Sequence, residues 1–195
     1  MGKTNSKGGK KMRKVSVGLL VLGLMLAVSQ VYGAESADIT VTVKISQLSV
    51  AVAPTSYDFG NMAAGANDVA SSYIAVTNDG NVTEKFKLGI PSEPNGTWTS
   101  VTAAAPVSEQ YRLSGIFRDT APTTGQYGAE DSFSYSTERE ATADDLAITG
   151  DAAGMKGYNV SENDWRKLWF KFEAPSTTNI TTQQSITARV TALAQ

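Results

Sequence analysis

Neither cysteine nor histidine occurs anywhere in the 195 residues. Together the two absences remove the Ser-His-Asp triad, the Cys-His pair and every zinc site of ordinary composition. They also remove disulfides, so stability must come from burial and backbone pairing. No G-x-S-x-G elbow and no phosphate-cradling glycine loop appears either. Basic residues are scarce beyond the first 33 positions. Six of the 17 lie there, leaving 17 − 6 = 11 against 19 acids, a formal −8. Such a balance argues against nucleic acid as a partner, and against an anionic membrane surface, because both draw on clustered Lys and Arg.

Only one long apolar run exists, the uncharged stretch from Val15 to Val28. Lys10, Lys11, Arg13 and Lys14 precede it, and "SQVYGAES" follows, with Val31 and Gly33 placed as small residues before a cut. Basic, apolar and small-residue zones in that order describe a secretory signal over 1–33. The run is shorter than the roughly 20 residues a membrane-spanning helix needs, so no stable membrane anchor is expected once the signal is removed. The expected location is extracellular or within the cell envelope. Residues 34–195 are then expected to form one domain with a sizeable core.

Within that domain the dominant period is two. Ile39, Val41, Val43 and Ile45 alternate with Thr40, Thr42 and Lys44, and Leu48, Val50 and Val52 keep the spacing. "SSYIAVTN" and the alternation of Phe86, Leu88 and Ile90 with Lys85 and Lys87 flank Asn78-Asp79-Gly80-Asn81. Gly80 permits a positive φ there, so the segment predicts a hairpin. "QYRLSGIF", "DWRKLWFKFEAP" and a closing segment from Ser185 to Leu193 complete the strands. Between about 119 and 164 regularity lapses into an irregular acidic insertion, with one short helix expected near 140–146. Nine or ten strands at short spacing predict an all-β, antiparallel immunoglobulin-like β-sandwich.

Asp58-Phe59-Gly60 spells the magnesium-holding tripeptide of kinases. Only residues 34–57 of the domain precede it, and they hold no glycine-rich loop, strand lysine or catalytic-loop aspartate. In context, Pro54, Phe59-Gly60, Gly65, Ile74, Val76 and Asn78-Asp79-Gly80-Asn81 follow one another as proline, aromatic-glycine step, glycine-turned loop and strand ending in an asparagine-glycine hairpin. This pattern, over about residues 47–90, resembles the bacterial secreted ASPM–SPD2–hydin domains, an immunoglobulin-like group. The resemblance implies a β-sandwich used for binding or scaffolding, and it supplies no catalytic residue. Asp58 is expected to cap a turn, and Phe59 to wedge between sheets.

With His and Cys absent, paired carboxylates are the catalytic class that survives. The acidic residues between 130 and 164 read instead as a solvated loop, and no catalytic residue is assigned. No cofactor is expected; calcium, which takes six to eight oxygen ligands, is the ion left open, with Asp144, Asp145 and Asp151 close in sequence but lacking the spacing of a dedicated loop. Four N-x-S/T triplets, at Asn81, Asn95, Asn159 and Asn179, are treated as incidental. On an extended 165–172, Leu168, Phe170 and Phe172 share one face, and Trp165 and Trp169 share the other with Lys167 and Lys171. The two tryptophans are therefore the candidate ligand-binding residues, as a platform for sugar rings, or else they are covered by the 118–164 region or lie at a subunit contact.

Two functions follow as expectations. One is a non-enzymatic structural or interaction subunit of a cell surface, matrix or filament, partnered by itself or other envelope proteins. The alternating terminal segments, "DITVTVKIS" and "SITARVTALAQ", either zip into their own domain or suit strand donation to such a partner. The other is a polysaccharide-binding module built on Trp165 and Trp169.

Overall fold

A computed structural model describes residues 38–94, 98–142, 145–147 and 155–195. The expected signal segment lies outside the described residues. The chain divides into two compact units, Met1–Val43 and Lys44–Gln195. Of the first unit only residues 38–43 are described; they belong to no strand, and Ile39, Val41 and Val43 are exposed.

The second unit is all-β, with ten strands and no α-helix among the described residues. They are β1 (Val50–Ala53), β2 (Asn67–Val69), β3 (Ile74–Asn78), β4 (Glu84–Gly89), β5 (Thr99–Ser100), β6 (Gln110–Phe117), β7 (Ser132–Phe133), β8 (Arg139–Glu140), β9 (Trp165–Glu173) and β10 (Arg189–Ala194). The larger sheet runs β1-β3-β9-β6-β5, with β2 also pairing β9 and β7 pairing β6; the smaller runs β10-β4-β8. Pairing is antiparallel except where β5 lies parallel to β6. One hydrophobic core joins the two sheets: Ile74, Val76, Leu113, Phe117, Leu168 and Phe172 from the larger meet Phe86 and Leu88 from the smaller. Phe86 and Phe117 place their rings 5.7 Å apart across that boundary. Alternation is the cause, since residues two apart on a strand point to the same side. On β4, Glu84, Phe86 and Leu88 are buried while Lys85 and Lys87 are half-buried.

Three local expectations change. The period-two segment from Ile39 to Ile45 forms no ladder; alternation specifies a strand only when a neighbouring backbone is there to pair. The segment near 140–146 holds strand β8 and a turn at 145–147 rather than a helix, residues 143–144 lying outside the described residues. Most informative is the turn at 78–81. β3 and β4 do not pair with each other but belong to different sheets, so the link is an arch across the core and not a hairpin.

Asn78 shapes the arch. It is fully buried, its Nδ2 donates to the carbonyls of Val82 (2.8 Å) and Val160 (2.9 Å), and its Oδ1 accepts from Gly80 N–H (3.0 Å). Residues 45–49 lie along the same arch. Asn81 Nδ2 donates to the Ile45 carbonyl (2.8 Å), Asn81 Oδ1 accepts from Gln47 N–H (2.8 Å), and the Asn81 and Asp79 N–H groups donate to the Gln47 and Ser49 carbonyls (3.0 and 3.2 Å). Buried Glu84 accepts from Ser49 N–H at 2.9 Å. Gly80 has no positive φ, so glycine is needed there for room rather than for conformation. A β-carbon would meet the Gln47 carbonyl and the Glu84 carboxylate, and would stand 3.0 Å from Ser49 N.

Further along, Asp58 caps its turn as expected, accepting from Gly60 N–H at 2.8 Å. Gly60 and Gly65 do take positive φ, 68° and 74°. Phe59 is half-buried, edge-on to Tyr57 (4.8 Å) and 5.7 Å from Phe172. The arch yields a prediction: Gly80→Ala lowers unfolding free energy by about 1–3 kcal/mol through overpacking and makes the chain before Val50 more open to limited proteolysis. Urea denaturation and protease mapping read the two effects.

Candidate functional site

β9 carries the candidate site on the face turned away from the core. Its alternation puts Arg166, Leu168 and Phe172 inward, in register with β3 and β6, so Trp165, Lys167, Trp169 and Lys171 look the other way. The two tryptophans differ sharply. Trp169 is only 6% exposed, and its Nε1 donates to the Arg118 carbonyl at 2.9 Å. Trp165 is 44% exposed. They do not form one flat platform: Tyr73 stands between them. Its ring stacks on Trp165 at 6.1 Å and 26°, and meets Trp169 at 5.6 Å and 61°. Lys167 Nζ lies 5.3 Å from the Tyr73 centroid and 6.0 Å from that of Trp165. Asp119 holds the same ammonium at 2.7 Å. An ammonium above two rings is attracted by their quadrupoles, so Lys167 stiffens the aromatic pair.

Beside these rings opens a cleft of about 350 Å³, lined by Arg118, Asp119, Met155, Asp164, Trp165, Arg166 and Lys167. Arg166 is buried, donating to the Lys156 and Trp165 carbonyls and pairing with Asp164 Oδ2 at 2.7 Å. Burial alone would raise Asp164. The hydrogen bond and charge of Arg166 and the N–H of Trp165 outweigh it and hold the carboxyl below its usual range. An exposed indole edged by ion-paired carboxylates and cations can stack on an apolar ring face and hydrogen-bond to hydroxyls. A proton donor for bond cleavage is a different requirement, and Asp164 does not meet it.

Sequence reasoning missed Tyr73, Asp119 and Asp164. Tyr73 had a signal: it shares the parity of Ala75 and Thr77, opposite buried Ile74 and Val76. Nothing local marks the aspartates, which reach the cleft from loops.

Part of the acidic insertion is ion-paired with lysines. Glu138 pairs with Lys87 (2.6 Å), Glu140 with Lys85 (2.8 Å) and Glu162 with Lys44 (3.7 Å). Of the residues weighed for calcium, Asp144 and Asp151 lie outside the described residues, and among the described residues no group of three or more acids is placed to hold a metal. A second, polar cavity of about 80 Å³ sits where residues 127–132 cover β6 and β9. Arg112 clamps Glu173 through Nε (3.0 Å) and NH2 (2.7 and 2.6 Å), and Lys171 joins at 2.8 Å. Burial opposes ionisation of Glu173, yet Lys171 and Arg112 keep it below its usual range.

Under the same cover lies Asp131, 1% exposed, its Oδ2 accepting from Gly128 N–H at 2.7 Å and its Oδ1 without a partner. Burial, reinforced by the charges of Glu130 and Asp145, pushes it up to about 7. No protein-family model, curated protein or solved structure matches the chain.

Two predictions follow. Trp169→Ala removes a buried ring and costs about 3–5 kcal/mol, whereas Trp165→Ala changes stability by less than about 1 kcal/mol; paired thermal melts test the contrast. For Asp131 the folded pKa lies above the unfolded one, so the folded chain holds the proton more tightly. Its contribution is complete below about pH 4 and is lost as pH rises through about 7, by no more than about 4 kcal/mol. Asp131→Asn keeps an acceptor for Gly128 and is expected to gain on the parent as pH rises from 4 to 8, read by urea midpoints along that series.

Proposed function

We propose that the chain is a non-enzymatic exported subunit, structural or interacting, of a bacterial cell surface, matrix or filament, and that its second unit is an immunoglobulin-like β-sandwich. The observation carrying this reading is the segment before β1. Ile39, Val41, Val43 and Ile45 are 87%, 79%, 74% and 77% exposed, one apolar residue at every second position. A row of four exposed β-branched residues has no use in an isolated solvated chain and matches what a partner sheet buries. The basic-apolar-small order of residues 1–33 supports export, and the 47–90 resemblance supports a scaffolding role. Fractionation of producing cells, followed by sedimentation velocity on the secreted material, tests it. The processed chain is expected in the envelope or in high-mass species. Recovery only as a free monomer at all concentrations would overturn the proposal.

A second reading rests on the cleft beside Trp165. Its size falls within the usual range for small-ligand sites, and an exposed indole stacked on Tyr73 suits a sugar ring. Retention on insoluble polysaccharide is expected to disappear in Trp165→Ala while the melting temperature stays within a few degrees. Equal retention of parent and variant rules this reading out.

A further inference from the structure

Among the described residues β10 pairs only with β4, and no strand is hydrogen-bonded to its other side, although β1 comes close to β10. Register identifies which groups face that unbonded side. Gln195 N–H donates to the Thr83 carbonyl at 3.3 Å, which makes Gln195 and Thr83 a hydrogen-bonded pair. In an antiparallel ladder such pairs alternate with non-bonded ones. Leu193 with Lys85, Thr191 with Lys87 and Arg189 with Gly89 are then the bonded pairs, and Val190, Ala192 and Ala194 aim N–H and C=O away from β4, at the unbonded side. Phe86, opposite Ala192, agrees: its N–H and C=O bond away from β10, to Gly157 (2.8 Å) and Ala141 (2.8 Å).

Side chains along this edge leave the core half covered. Val190, Ala192 and Ala194 share the face of buried Leu88, Phe86 and Glu84, yet none of the three is fully buried. Val50, Val52, Ile186, Ala188 and Val190 are all half-buried against the core. An edge of this kind accepts a strand whose side chains alternate apolar inward and polar outward.

The chain carries such a strand. Residues 39–45 span seven positions against the six of β10, with Ile39, Val41, Val43 and Ile45 on one side and Thr40, Thr42 and Lys44 on the other. We infer that residues 39–45 of one copy pair with the free edge of β10 in a second copy. Their apolar row then lies beside Val190, Ala192 and Ala194. The inference rests on the proposed subunit role and names its partner, a second copy of this chain. Hydrogen bonds from the outward N–H and C=O groups supply attraction, and the β-branched row supplies register. Because donor and acceptor are different surfaces, each copy can give one strand and receive another, a head-to-tail contact that builds an open chain unless it closes on itself.

Absence of cysteine gives a clean test. In the full chain, Thr40→Cys or Thr42→Cys is combined with Thr191→Cys, whose side chain leaves the sheet on the polar side, and the secreted protein is oxidised. Disulfide-linked dimers, trimers and longer species on non-reducing gels are expected from a double variant and at most dimers from each single one. Separately, Ala192→Pro removes one outward N–H while sparing the bonded pairs to β4, and proline is tolerated at such an edge position. That variant and Val41→Asp are each expected to reduce high-mass species at least tenfold in sedimentation velocity, with circular dichroism unchanged. Cross-links only within one chain would overturn the inference, as would high-mass species insensitive to both substitutions; the latter leaves the subunit role standing. A parent chain that never leaves the monomer overturns both. Should Ala192→Pro fail to fold, Val41→Asp and the cysteine pairs still decide.

Discussion

A buried asparagine at the end of β3 holds the two sheets in their relation. Asn78 spends both side-chain nitrogen protons on backbone carbonyls and its oxygen on the Gly80 amide, and this lets the chain leave one sheet and enter the other without stranding peptide groups in the core. Much else is fixed by that crossing. β4 starts at the arch with Glu84 buried. Residues 45–49 are stitched to the arch before they become β1, and Val160 pairs with Glu84 to bring the insertion back. Burial pushes Glu84 upward against the Ser49 hydrogen bond. The arch thus places a carboxylate where an apolar side chain would be less costly, and its return is the fixed start of β1.

The outer faces follow a different rule. Lys85 and Lys87 alternate outward on β4, and Glu140 and Glu138 come back from the insertion to meet them. On β9 and β6, Arg112 and Lys171 share Glu173. An acidic stretch that looks like a solvated loop is in part the ionic complement of its own sheets. The more exposed Lys85–Glu140 and Lys87–Glu138 pairs are each worth about 0–1 kcal/mol, so they position the insertion more than they stabilise it. Along the same strand the aromatic residues divide the work: Trp169 is a buried anchor under the 118 segment, and Trp165 remains available with Tyr73.

Alternation made most of the strands legible. β6 and β9 are read directly from "QYRLSGIF" and "WRKLWFKFE", since Tyr111, Leu113 and Phe117 share one parity on the first and Leu168, Phe170 and Phe172 on the second, with Arg166 the polar exception. Where a strand goes was not legible. Asn78-Asp79-Gly80-Asn81 has hairpin composition, and the same residues build an arch because their side chains and the nearby Val160 backbone, 82 positions away from Asn78, satisfy the turn from within the core. No local pattern carries that information. Similarly, Ile39–Ile45 has the period of a strand without a neighbour to pair, and the neighbour is what a sequence leaves unstated. For the candidate site, Trp165 was visible by type and parity, and Trp169 too, but the difference in their burial depends on a loop 51 residues earlier.

The small sheet is lopsided. At its far side β8 contributes two residues, Arg139 and Glu140, both charged and both committed to β4 or to nearby side chains and carbonyls. Short charged borders resist adventitious annealing. Any lengthening of this layer is therefore biased toward one flank, so an assembly that lengthens it would have two unlike tips, one able to recruit and one inert.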